Sequence, residues 1–313
     1  MKFDLLSLGL ACADVMVRPV ESLPERGKLA LVPHLEIHLG GLAAVTASVF
    51  SALGGSAAFI GALGRDGFGD YVHGALAGSG VNVDQVKRGN GEGTAATVVL
   101  VSEDGERTFL HHAGCSHSLR EGDIDFGFFT QGRHLHWGGP SVTPSLDGEP
   151  IGRVLKKAHD LGLTTSMDTC YDGGGRWLSR IEHALPHLDI VMSSLEEARM
   201  YTGKQEPEEI AEFYCGFGPV IALVKLGERG LFVKQGTETH YLPAHNVEVR
   251  DTTGAGDAAC GGFLFGYLKG WSVLESARLA NAVGALTVQA MGGAEGVRSF
   301  EETVAFMNSV AVR

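Results

Sequence analysis

The sequence predicts an α/β fold: a mostly parallel sheet with helices on both faces, joined to a small second β-sheet. Three observations carry this. From residue 134 onward, short strand-like runs alternate with helix-like stretches, the βαβ rhythm of a parallel sheet. The opening run, Leu5–Leu10, is apolar on both faces, as in the middle of a covered sheet. The chain of 313 residues, 44% apolar and 20% charged, holds core material for two domains or for one large domain with an appendage.

After the first strand, residues 15–39 alternate irregularly around Pro19, Pro24, Gly27 and Pro33, which predicts short strands of an exposed sheet. Gly40-Gly41 opens a helix, Gly54-Gly55 closes it, and Ala57–Ala62 is the next strand. The polar turn Gly64–Gly67 leads to a helix over Tyr71–Ala77, ending at Gly78 and Gly80. Thr97–Val101 and Arg107–His111 form a predicted hairpin around Asp104-Gly105. The later strands are His134–Trp137, Thr164–Asp168, Ile190–Met192 and Ile221–Lys225, and the helices between them Gly152–Leu161, Glu196–Thr202 and Pro207–Phe213. A second hairpin, Gly230–Gln235 with Glu238–Pro243, precedes two long helices, Ala255–Lys269 and Val273–Met291. The division that follows is an α/β domain of residues 1–11, 39–94 and 115–313, with residues 12–38 and 95–114 as a discontinuous minor sheet.

Lys plus Arg number 25 against 37 Asp plus Glu, a net charge of −12, which argues against nucleic-acid and membrane partners. A phosphate ligand stays open, because peptide N–H groups hold phosphate whatever the net charge. The 45 glycines show no three-residue period, so they mark tight turns rather than a collagen-like chain. Five dispersed cysteines without a C-x-x-C predict reduced thiols and a cytoplasmic protein. The start, Met1-Lys2-Phe3-Asp4, lacks the basic residues of a signal peptide. Leu39–Gly64 is uncharged, but its glycines divide it into a buried helix and a buried strand rather than a membrane span.

The chemistry concentrates in Asp251-Thr252-Thr253-Gly254-Ala255-Gly256-Asp257. A Gly-x-Gly turn entering a long apolar helix aims several peptide N–H groups, with the positive end of the helix dipole, at one spot. Asp257, in the first turn, serves either as an N-terminal charge partner or as a base beside a phosphate in transfer.

This stretch, followed by Gly261-Gly262-Phe263, resembles the second signature of the ribokinase-like (PfkB) carbohydrate kinases. Gly40-Gly41 through Gly54-Gly55, then Ile60–Gly69, resembles the first. Gly80-Val81, Leu226–Gly230 and Asn281-Ala282 continue the likeness in the family's order over essentially the whole chain. The resemblance implies a Rossmann-like domain with a β-sheet lid that pairs between subunits as a homodimer. It also implies transfer of the γ-phosphate of ATP, with magnesium, to a hydroxyl of a sugar or sugar acid. It makes Asp257 the base and Gly254, Ala255 and Gly256 the anion hole. Asp14, Gly40 and Gly41 become substrate contacts, with Asp168 at a strand end and Arg176 in a glycine-rich loop as further candidates. Lys225, Gly227, Gly230 and Asn281 fall on the nucleotide side, and Glu197 on magnesium through water. Asp251 and Thr253 match part of a monovalent-cation site, which makes potassium an expectation.

Two positions depart from the pattern. Val45 stands where an Asn often touches the sugar, and Ser194 replaces the Asn of the family's Asn-x-x-Glu motif. His111-His112 and the His134/His136 pair lack a third ligand at metal spacing, so they read as structural or substrate-lining. The alternatives are a nucleoside kinase on the same scaffold, whose base could use Val45, Phe109 and Trp137, and a non-catalytic sugar-binding protein. A nicotinamide enzyme is excluded, because Leu10-Ala11-Cys12-Ala13 carries no glycine fingerprint.

Overall fold

The structure, a computed structural model, describes residues 1–89, 91–103 and 107–313. The chain begins with β1 (Phe3–Gly9), β2 (Cys12–Arg18) and β3 (His34–Gly40), then α1 (Leu42–Ala52), β4 (Ala57–Leu63), α2 (Gly67–Gly78) and β5 (Asn82–Arg88). Next come β6 (Ala96–Val101), β7 (Arg107–His112), β8 (Gly132–Gly138), α3 (Glu149–Asp160), β9 (Thr164–Asp168) and α4 (Leu178–Ile181). β10 (Ile190–Ser194), α5 (Leu195–Thr202), α6 (Pro207–Cys215) and β11 (Ile221–Lys225) lead to the hairpin β12 (Leu231–Gln235) and β13 (Glu238–Leu242). Three helices close the chain: α7 (Ala255–Leu268), α8 (Val273–Thr287) and α9 (Phe300–Ser309).

Nine strands form one sheet in the order β13-β12-β11-β10-β9-β8-β1-β4-β5, and β3-β2-β6-β7 form a separate one. The large sheet is parallel except for its terminal hairpin. Its central strands are buried on both faces, and each face carries its own hydrophobic cluster, so their sequences read as continuous apolar runs. β1 lies between β8 and β4, where the strand order turns around. A crevice at the carboxyl ends of the strands is where ligands bind in such sheets.

The α/β fold with a smaller separate sheet matches the sequence expectation. Three elements were not expected, the one-turn α4 among them. β5 is a polar edge strand without an apolar run, so periodicity gives no signal there. α9 starts from a Ser299 cap that accepts the Glu302 N–H (3.1 Å), and its Phe300 packs on Phe265 and Trp271. The helix expected to reach Met291 stops at Thr287. Its capping box, Ser272 with Glu275, is intact. The turn expected at Asp104-Gly105 lies outside the described residues. Among the described residues no helix is long and apolar enough to cross a membrane.

Candidate active site

The first turn of α7 opens onto a cavity of about 610 Å³. Gly254 makes the turn into the helix at φ 69°, and a Cβ there would lie 2.5 Å from Gly293 Cα. Only glycine admits that approach. Ala255 N–H is spent on Thr252 O (3.3 Å), so of the expected anion hole the Gly254 and Gly256 amides, joined by that of Asp257, have no backbone acceptor among the described residues. Gly256, Asp257 and Ala255 all line the cavity. A Cβ on Gly256 would stand 3.1 Å from Lys225 Nζ, so glycine also lets that cation sit against the turn.

Lys225 ends β11 and donates to both oxygens of Asp168, at the end of β9, at 2.7 and 2.6 Å. Burial alone would lower the lysine's pKa, but Asp168 more than offsets it and holds Lys225 charged, above the ordinary lysine range. Glu197, in the first turn of α5, accepts from Thr169 Oγ1 (2.7 Å). Ser194 is the N-cap of that helix, its hydroxyl accepting the Glu197 N–H at 3.3 Å. Serine thus retains the capping role that an asparagine would have, and both residues line the cavity. Asp257 faces these groups. Desolvation first, then repulsion from Asp168 against the attraction of Lys225, pushes its carboxyl up to about 8.

Among the described residues of the minor sheet, Arg107 lines the cavity, whereas the expected Asp14, Gly40 and Gly41 do not. Asp14 on β2 is buried, and burial raises its pKa although Cys12 and Thr97 donate to it. Gly40 lies beside it; a Cβ there would fall on the carboxylate. Gly41 adopts φ 95°, and a Cβ there would lie 2.6 Å from Leu10 O, so glycine lets α1 begin directly against the sheet. Strand pairing aligns Asp14, Thr97 and His111 across β2, β6 and β7, and Thr97 Oγ1 lies 3.1 Å from His111 Nδ1. Asp14 is close enough to Asp257 to add to the upward push on its pKa.

The other expected site residues divide clearly. Gly227, Gly230 and Asn281 line the main cavity, as do Asp168, Glu197 and Lys225. Gly230 (φ 97°) has no room for a Cβ beside the Leu242 carbonyl. Asn281 spends its amide on Pro243 O (2.7 Å). Arg176 is exposed and does not line the cavity; the buried cation nearby is Arg180 of α4, paired with Asp147 (2.9 Å) and Asp172 (3.4 Å). Asp251 is buried and accepts from Thr253 N–H (2.9 Å) and Gly292 N–H (3.0 Å). Val45 is buried against Gly293 rather than turned to a ligand.

His134 and His136 are buried and both bond Ser166 Oγ (2.7 and 2.8 Å). Burial lowers both pKa values, which keeps the rings neutral. Trp137 is fully buried in the core, so it is no wall for a base. Among the described residues no group of three or more His, Cys, Asp or Glu is arranged to ligate a metal. Glu197 shares the cavity lining with the carboxylates of Asp168, Glu196, Glu228 and Asp257.

Sequence reading missed Arg107 and Thr97. Arg107 lines the cavity and reaches Thr253 Oγ1 at 3.4 Å, joining the minor sheet to the turn before α7. No local pattern marks either residue; the pairing of distant strands brings them in.

Comparison with known proteins places this geometry. Residues 2–299 match the model of the pfkB family carbohydrate kinases. The 2-dehydro-3-deoxygluconokinase of Bacillus subtilis is 26% identical, the alignment covering 99% of this chain and 97% of that one. The ATP-dependent ribose-1-phosphate kinase of Halopiger xanaduensis is 29% identical over 94% of each chain. The structure of Arabidopsis thaliana ribokinase complexed with ribose and ATP superposes with a TM-score of 0.84 at 26% identity, covering 98% of this chain and 99% of that one.

Proposed function

Because the chain belongs to the pfkB family of carbohydrate kinases, phosphotransferases with an alcohol acceptor, we propose that it moves the γ-phosphate of ATP to a hydroxyl of a sugar or sugar acid, with Asp257 as base. The observation that carries this reading is the convergence of the Asp257 carboxylate and the peptide amides at the α7 mouth on one cavity.

Asp257 takes the acceptor's hydroxyl proton as its oxygen attacks the terminal phosphorus, and ADP leaves with the bridging oxygen. The Gly256 and Asp257 amides, on the positive end of the helix, face the charge that builds on the transferring group. Gly227, Gly230 and Asn281 wall the nucleotide end of the cavity. Magnesium bound with the nucleotide would neutralise phosphate charge, and Glu197 is the residue that would hold it through water. Lys225 keeps Asp168 paired, which limits the negative charge around the incoming phosphates.

The minor sheet acts as the lid over the acceptor: Asp14 accepts from acceptor hydroxyls, backed by Thr97 and His111. Closure excludes water, which would otherwise take the phosphoryl group. A nucleoside acceptor is less well served, since neither Trp137 nor Val45 reaches the cavity as a wall for a base.

The outward row of the lid, Val15, Val17, Leu35, Ile37, Val98, Leu100 and Leu110, alternates with the buried Asp14, Met16, Thr97 and Val99. Leu35 is 66% and Leu110 59% exposed. So apolar a face on an open sheet is a liability unless covered, and a second copy of the same lid covers it. Sedimentation should give a homodimer that Leu110→Lys converts to monomer; a monomeric parent protein rejects the pairing.

The direct test is ADP release with magnesium and ATP across ketoses, pentoses, sugar acids and nucleosides. An acceptor-dependent rate is expected with a sugar or sugar acid, and Asp257→Asn should lower it about 10²- to 10⁴-fold while the protein still melts in one cooperative transition. Turnover within a few-fold of the parent would remove Asp257 as base.

A further inference from the structure

A second cavity, of about 560 Å³, lies between the minor sheet and the loop before α7. Arg18, Glu103 and Arg107 line it from the sheet, Arg250 and Asp251 from the body. It touches the main cavity, since Arg107, Val249 and Thr252 line both.

Three guanidiniums therefore surround one space on a chain whose net charge is −12. Two carboxylates, Asp251 and Glu103, line the same space, which leaves the three arginines in excess by one. Arg18 Nη2 stands 3.7 Å from Glu36, while its Nε is buried without a hydrogen-bond partner. Arg107 meets the neutral Thr253 hydroxyl and the face of Phe109. Arg250 makes no side-chain hydrogen bond or ion pair among the described residues. Of the two lining acids, Asp251 is engaged by two peptide N–H groups and Glu103 is exposed at the rim. Like charges around a cavity repel one another, and an anion among them removes that cost. The guanidinium fork fits the paired oxygens of phosphate or carboxylate.

We propose that this second cavity is an oxyanion site, taking the phosphate or carboxylate group of a small metabolite and tying the minor sheet to the body. The volume admits a small metabolite. Such a group has two sources: the far end of an anionic acceptor reaching past Arg107, or a separate molecule bound beside the reaction.

The test is calorimetric titration of inorganic phosphate into the intact protein, with the main cavity filled by magnesium and a non-hydrolysable ATP analogue. Saturable phosphate binding is expected, weakened about tenfold by Arg18→Gln and again by Arg250→Gln. Arg18→Lys and Arg250→Lys should recover part of it, and all four variants should melt like the parent. Absence of saturable binding, or binding untouched by the double Gln variant, overturns the proposal. Kinetics separate the sources. Phosphate competing with the acceptor, with a raised KM for anionic but not neutral acceptors in the double Gln variant, places the acceptor's own anionic group there. Phosphate changing the rate without competing places a separate metabolite there, and either pattern supports the site.

Discussion

The donor side and the acceptor side of the main cavity are built in different ways. At the mouth of α7 the proposed donor-side groups are peptide amides, and the backbone packs too closely for a side chain at Gly254, against Gly293, and at Gly230, against Leu242. Under the minor sheet the proposed acceptor groups are side chains, Asp14, Thr97 and His111, brought together from three strands by register. Backbone sites suit a partner that never changes, such as a phosphate. Side-chain sites can be exchanged one at a time, which is how one scaffold takes many acceptors.

Three measurements sharpen this contrast. Gly254→Ala should have the largest effect, since a Cβ 2.5 Å from Gly293 Cα at φ 69° forces the turn to move. A shift approaching 1 Å at the α7 mouth costs about 10²-fold in kcat. Unchanged kcat would show that the turn need not hold its position. The pH profile comes next. Asp257 works as base only when ionised, so kcat/KM for the acceptor should rise about tenfold per pH unit below a transition near 8, then level off.

Stability should move the other way. A carboxyl whose folded pKa is raised binds its proton more tightly in the folded state, so its contribution is lost as pH climbs from the unfolded value towards 8. Activity should thus rise while the melting temperature falls, with the Asp257→Asn variant losing this part of the melting trend. A flat rate between pH 6 and 8 would mean that Asp257 is ionised throughout. The smallest effect belongs to the acceptor side. Thr97→Val should raise the acceptor KM about tenfold and leave the nucleotide KM and the fold intact. Equal changes in both KM values would erase the distinction between the two sides.

The donor side was legible in the sequence for the same reason that it is rigid. Asp251–Asp257 is one short segment, and its glycines report local backbone demands. The acceptor side was legible only in part. Asp14, Gly40 and Gly41 carry a pattern, whereas Thr97 is an ordinary strand threonine until β2 and β6 pair. Arg176, which the family resemblance singles out, is exposed, whereas the buried and paired cation nearby is Arg180 of α4. A guanidinium looks the same in sequence whether it faces solvent or an Asp pair.

The sequence by itself determined the α/β class, the order of most elements and the carboxylate at the α7 mouth, because hydrophobic period and glycine position are local properties. Only the tertiary structure decided that Lys225 is bound to Asp168, that Val45 turns away from the cavity, and that three arginines from distant segments share a second one. Those facts depend on which strands pair and in what register, and pairing is fixed by burial over the whole chain rather than by any one segment.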